Sequence, residues 1–328
     1  MARSARRARK PTSPVAAGIR GRARAAPPKA SAAIASGDSA GTAFGKIARG
    51  CLAQLREHQP SVLERGDAVG IHKMRVAVRR LRASFSLFEP LLARHALAQL
   101  KPELRWLAGE LAPARDWGVF REETLAPRDD RTASARAAQR VRALTAEPYA
   151  AAQGRAVAAV GSLRYAALVL ALDTWLEAEG WRAGVGARKA VLAARSIDKL
   201  APALLERRAR KLHKAARSIA DLTVEQRHAL RKRLKALRYG ANFLAILFKG
   251  RRIKPYLAAL GAMQDTLGTI NDLAVAKVLL TTLRAESRGA LGTSLTMLDA
   301  AFAARLIDKL ATLPAAWRGL RKTRPFWD

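Results

Sequence analysis

Two short stretches carry the most pointed chemistry of the chain. His72-Lys73-Met74-Arg75-Val76-Ala77-Val78-Arg79-Arg80-Leu81-Arg82 opens on histidine, holds five Lys/Arg and contains no acid. His228-Ala229-Leu230-Arg231-Lys232-Arg233-Leu234-Lys235-Ala236-Leu237-Arg238 repeats those properties 156 residues further on. In both, charges recur at the histidine and at +3, +7 and +10. On a helix those positions fall within about 80° of arc and put a charge roughly every 5 Å along one face. Such a row suits a ligand with repeated negative charges. Arg grips phosphate oxygens bidentately, whereas Lys acts as a point charge. The leading candidates are Arg75, Arg79, Arg82, Arg231, Lys235 and Arg238, with Lys73, Arg80, Lys232, Arg207 and Lys211 behind them. His72 and His228 either donate to the ligand or orient their neighbours from the start of each helix. A charge run is often no more than a solvated face. Solvated faces, however, mix signs for i,i+4 pairing, and neither stretch does so.

Composition points to the same class of ligand. The 328 residues include 60 Lys/Arg and 26 Asp/Glu, for a formal charge of +34. That imbalance speaks of partners, with nucleic acid, polyphosphate and acidic lipid as candidates. Residues 1–42 lack a periodic apolar face and hold nine Lys/Arg against one acid, Asp38. They are expected to form a disordered basic tail that adds weak, non-specific affinity for nucleic acid. The remaining +26 must belong to the folded body. Half the residues are hydrophobic, enough for a substantial core. The single cysteine, Cys51, excludes an internal disulfide and a cysteine-based zinc site, and a reducing cytoplasm is the expected setting. No apolar stretch approaches the length of a membrane span.

The elements that must position these stripes read as helices throughout. Apolar residues recur at helical spacing between prolines and glycines, and no segment alternates as a strand does. One helix is expected from Asp67 to about Glu89, with Met74, Ala77, Val78, Leu81, Phe85 and Phe88 on the side roughly opposite the basic stripe. Another carries the second stripe to about Phe248. Pro113 should kink a helical run over about 95–124, and Pro127 to Arg131 reads as a charged loop. The six Trp read as core or interface residues.

The 156-residue offset extends beyond the stripes. It lays Leu104 on Leu260, Leu107 on Met263, Leu111 on Leu267, Asp116 on Asp272 and Val119 on Val275. Two motifs aligned at one offset point to internal duplication. The expected fold is all-α, with two four-helix bundles over about 43–186 and 187–328. A pseudo-twofold between them would set the stripes opposite each other as one basic central groove or channel.

These residues resemble the conserved histidine α-helical domain family, CHAD. His72, Arg75, Val76, Arg79, Arg80, Leu81 and Arg82 fit its opening pattern, and Leu111, Arg115, Asp116 and Val119 fit a second. His228, Leu230, Arg231, Lys235, Leu237, Arg238 and Tyr239 fit the opening pattern of the second copy, and Met263 to Asp272 nearly meet the last. The resemblance covers roughly 43–328. It implies paired four-helix bundles with a basic pore that binds inorganic polyphosphate, in proteins that can associate with polyphosphate granules. Two positions depart from the pattern. Ala112-Pro113 replaces a glycine and introduces a proline, and Ala236 stands at the equivalent of Arg80.

No nucleophile–base pair, metal cluster or phosphate-cradling glycine loop stands out, so neither a cofactor nor enzyme activity is expected. Asp116 and Asp272 read as structural residues that orient basic side chains. The main rival is a nucleic-acid-binding, nucleoid-associated protein, although the stripes lack the interleaved aromatic residues of single-strand binders. A phosphate-ester hydrolase is disfavoured by the missing carboxylate or metal cluster.

Overall fold

A computed structural model of the chain describes residues 34–93, 95–126, 132–287 and 291–328. The described residues are helical, and strand geometry among them is confined to one isolated bridge between Ser39 and Ser196. The helices are α1 (Ala40–Glu57), α2 (Gln59–Arg65), α3 (Ala68–Leu87), α4 (Leu100–Glu110), α5 (Ala112–Val119), α6 (Ala133–Leu144) and α7 (Ala146–Val160). They continue with α8 (Leu163–Glu177), α9 (Ala187–Ala194), α10 (Ile197–Ala215), α11 (Val224–Leu244), α12 (Ile253–Glu286) and α13 (Gly292–Lys322).

The tail expected over 1–42 lies outside the described residues as far as 33, and so does the charged loop over 127–131. From residue 34 the chain is packed. Ile34 is buried, Asp38 pairs with Lys46 at 2.8 Å, and the Gly37 amide donates to Asp198. The folded body therefore begins ahead of residue 43.

Local chemistry sets most helix starts. Ser39, Asp67, Thr132, Ser162, Ser196 and Thr223 each accept a backbone N–H at an N-cap, and Thr223 forms a full capping box with Gln226. Pro113 acts as the sequence suggests. It sits in the first turn of α5, and the helical path breaks at Leu111. The equivalent stretch of the second half contains no proline and stays helical within the 34 residues of α12.

Helix boundaries recur at the sequence offset. Moving α3 forward by 156 residues gives 224–243, and α11 runs Val224–Leu244. Moving α1 gives 196–213, beside α10 at Ile197–Ala215. The central helices meet: α3 packs on α1, α4, α5 and α11, while α11 packs on α10 and α12. Gly240 permits a close approach here, because a Cβ on it would lie 3.2 Å from Leu87 Cδ1. One apolar core runs from Ile34 to Trp327, and α6 crosses between the halves to pack on α13 as well as α7.

An aromatic cluster anchors α1 against α3 and α8. Phe44 lies 5.9 Å from Phe85, 5.5 Å from Phe88, 6.0 Å from Trp175 and 5.3 Å from Trp181 between ring centroids. Gly45 of α1 faces the same cluster, and a Cβ there would lie 2.8 Å from Trp181 Cη2. Gly45→Ala is expected to destabilise the fold by about 1–3 kcal/mol through overpacking. Urea unfolding measures this, and an unchanged midpoint would show that Trp181 can shift without cost.

Candidate functional site: a cationic cluster where α3 meets α11

Arg75 and Arg79 on α3 converge with Arg231 and Lys235 on α11. At the 156-residue offset these are two equivalent pairs, Arg75 with Arg231 and Arg79 with Lys235. Arg115 and Asp116 on α5 and Asp272 on α12 complete the group. The Arg75 guanidinium lies 3.8 Å from the Asp116 carboxylate, and Arg115 pairs with Glu123 at 3.0 Å.

The electrostatics show how closely the like charges are held. Burial, followed by the neighbouring Arg231, Arg79 and Arg75, pushes the Lys235 ammonium down to about 6, with Asp272 pulling the other way. Burial and then Arg79 lower Arg75 to about 10, partly offset by Asp116. Arg231 is lowered by burial and Arg79, against the pull of Asp272 and Asp116. The two carboxylates are raised above their ordinary range, mainly by burial, and Asp116 also feels Asp272. Both aspartates thus lie among cations from both halves of the chain.

Within the described structure, the buried Nε atoms of Arg79 and Arg231 have no hydrogen-bond acceptor. Buried polar atoms in native proteins are nearly always satisfied, so groups of this kind call for an explanation. Each leaves a donor to spare beside the other basic side chains of the cluster.

His72 borders the cluster. Burial and then Arg115, Arg79 and Arg75 push it down to about 4, so it is a neutral imidazole at physiological pH. His228 is more exposed and is lowered by burial and then Lys232, Arg231 and Lys235, while an Asn271 hydrogen bond works in the opposite sense. Lys232 thus lies at the rim beside His228.

Other candidates from the sequence stand elsewhere. Arg80 places its guanidinium 5.2 Å from the Phe243 ring centroid and beside Cys51, whose thiol burial pushes up to about 11. Arg82 is exposed next to Arg105, and Lys73 is exposed near His58. Arg207 and Lys211 are exposed on α10. Arg238 lies alongside Gly261 of α12. Between those two exposed residues, Arg208 turns inward to donate to the Ser86 carbonyl and hydroxyl, a structural bond joining α10 to α3. Arg115 pairs with Glu123, and it is Arg75 that lies beside Asp116.

Among the described residues no group of His, Cys, Asp and Glu is placed to hold a metal ion, and no single helix is long and apolar enough to cross a membrane.

Arg75, Arg79, Arg231 and Lys235 thus form a part-buried basic cluster where α3 meets α11 in an all-α chain. The pattern defining the CHAD domain matches residues 46–281, and the chain belongs to the CHAD domain family. Among solved structures it is similar to the CHAD domain from the plant Ricinus communis, at 29% identity and a TM-score of 0.77, over 90% of this chain and 96% of that one. It also shares its fold with PptA from Streptomyces chartreusis, at 18% identity and a TM-score of 0.65, over 86% of this chain and 100% of that one. No curated protein compared with the chain matches it.

Proposed function

We propose that the chain binds inorganic polyphosphate, with Arg75, Arg79, Arg231 and Lys235 as the central contacts. The observation carrying this reading is the convergence of equivalent cations from two helices onto one part-buried place, with Arg79 and Arg231 Nε atoms lacking acceptors. A flexible chain of phosphoryl groups supplies closely spaced oxygens without requiring base-edge contacts. Membership of the CHAD family supports the same ligand. His72 contributes as a neutral donor or as an orienting residue, and Lys232 and His228 extend the site at its rim. The remaining basic residues, Lys73, Arg80, Arg82, Arg207, Lys211 and Arg238, belong to the outer field that steers a polyanion inward. In this reading the protein acts as a binder without catalysing a reaction, and works in the cytoplasm on polyphosphate granules.

Competition tests the reading against nucleic acid. Long-chain polyphosphate is expected to displace duplex DNA and RNA at matched salt, both from the full chain and from a chain lacking residues 1–33. Preferential binding of nucleic acid by the shortened chain would overturn it. Affinity for either polymer falls as salt rises, because counterions are released, so the ionic strength must be held constant.

A further inference from the structure

The turn between α11 and α12 and the C-terminal segment enclose a concavity well away from the central cluster. One lobe, of about 220 Å³, is lined by Lys249, Arg251, Arg252 and Phe326, with Asp328 in its wall. The second, of about 450 Å³, is lined by Arg251, Arg252, Pro255, Thr323 and Arg324. Arg251 and Arg252 line both lobes. None of the four cations forms an ion pair with a described residue.

The place is built on a rigid base. Phe326 packs edge-on against Phe248 at 5.1 Å, Tyr256 at 5.9 Å and Trp327 at 5.1 Å, and the Trp327 indole N–H donates to Glu206 at 3.4 Å. These contacts tie the C-terminal segment to α10, to the end of α11 and to α12, and so fix Arg324 near Arg251 and Arg252. The start of α12 adds a favourable field, since it has neither a side-chain cap nor an acid in its first turn. Counted along α12 from Ile253 to Asp272, the central cluster is roughly 28 Å away. One phosphate group cannot touch both places.

We propose that this concavity is a second oxyanion site, specific for a short run of phosphoryl groups. Two adjoining lobes that share Arg251 and Arg252 suit a di- or triphosphate whose oxygens those guanidinium groups would grip. Free inorganic oligophosphate and the end of a longer chain share that chemistry. Phe326 is only 7% exposed and already packed on other rings, so no open aromatic face awaits a base. Nucleoside triphosphates therefore gain nothing over inorganic tripolyphosphate.

The test uses the full-length chain with Arg75→Ala and Lys235→Ala, so that the central cluster is weakened. Calorimetric titration with inorganic tripolyphosphate is expected to show one remaining site. Adding Arg251→Ser and Arg324→Ser should weaken it by at least about tenfold, with helical circular dichroism unchanged. Long-chain polyphosphate is titrated in parallel. Saturation of the 251/324-dependent site by tripolyphosphate alone assigns it to free oligophosphate, and saturation by both assigns it to chain ends as well. Saturation by neither, insensitivity to the Arg251 and Arg324 changes, or a clear preference for ATP overturns the proposal. Failure of the central-site reading registers separately, as unchanged long-chain affinity on replacing Arg75 and Lys235 in an otherwise native chain.

Discussion

Replacing Arg75, Arg79, Arg231 and Lys235 together with alanine is expected to lower affinity for long-chain polyphosphate by at least about a thousandfold. A hydrogen bond to a charged partner contributes about 1.5–3 kcal/mol, and four of them exceed that loss even after allowance for salt screening and non-additivity. Arg75, Arg79 and Arg231 repel one another in the empty protein, adding to the burial that mainly lowers Arg75 and Arg231, so their removal also relieves strain. Asp116 and Asp272 keep Arg115 as a neighbouring cation. Binding is measured by calorimetry at fixed salt and folding by circular dichroism. A folded variant with undiminished affinity would place the ligand elsewhere on the surface. Replacing Lys73, Arg82, Arg207 and Lys211 removes equal formal charge from exposed positions. That variant should lose far less affinity and mainly slow association.

The second large effect is of pH. Lys235 titrates near 6 in the empty protein because it is buried among Arg231, Arg79 and Arg75. A polyanion seated there favours its charged form and raises that value, so the complex holds a proton that the free protein lacks at neutral pH. Affinity therefore rises as pH falls. With the ammonium about 1% populated at pH 8 and about half populated at pH 6, the gain is about fiftyfold. The raised carboxylates of Asp116 and Asp272 contribute with the same sign, since an anion beside them favours protonation. His72, already down near 4, stays neutral across this window. Long chains are the proper probe, because phosphoryl end groups that titrate near neutrality are then a small fraction of the ligand. Lys235→Arg keeps the charge without titrating and should largely flatten the profile. A profile equally steep in that variant would assign the proton elsewhere.

How far the sequence could be read depended on which side of each helix meets its partner. The all-α class was legible from Ala, Leu and Arg at helical period, and the 156-residue offset matches the boundaries of α3 and α11. Arg75, Arg79, Arg231 and Lys235 were legible as members of a stripe. Arg82 and Arg238 belonged to the same stripe, yet Arg82 lies by Arg105 and Arg238 by Gly261. The two helices still meet beyond these positions, at Leu87 with Gly240 and at Arg80 with Phe243, so it is the direction of each side chain, and not distance along the axis, that takes Arg82 and Arg238 out of the cluster. Arg80 escaped for another reason. Its long apolar stem and flat head can settle on an aromatic ring, and only the packing of α3 on α11 brings Phe243 within reach. The pairings of Arg115 with Glu123 and of Arg75 with Asp116 were likewise hidden, because adjacency in sequence does not set direction on a helix.

The packing of α6 on α13 has a consequence for how the chain is made. The apolar face of α6, with Ala135, Ala137, Ala138 and Val141 buried, rests partly on a helix that begins at Gly292. During synthesis that cover emerges roughly ten to thirty seconds after α6 itself. Until then α6 is a short amphipathic helix with one side wet, beside a strongly cationic nascent chain close to the polyanionic ribosome. The emergence of α13, and not local helix formation, sets the moment at which this part of the protein reaches its native state.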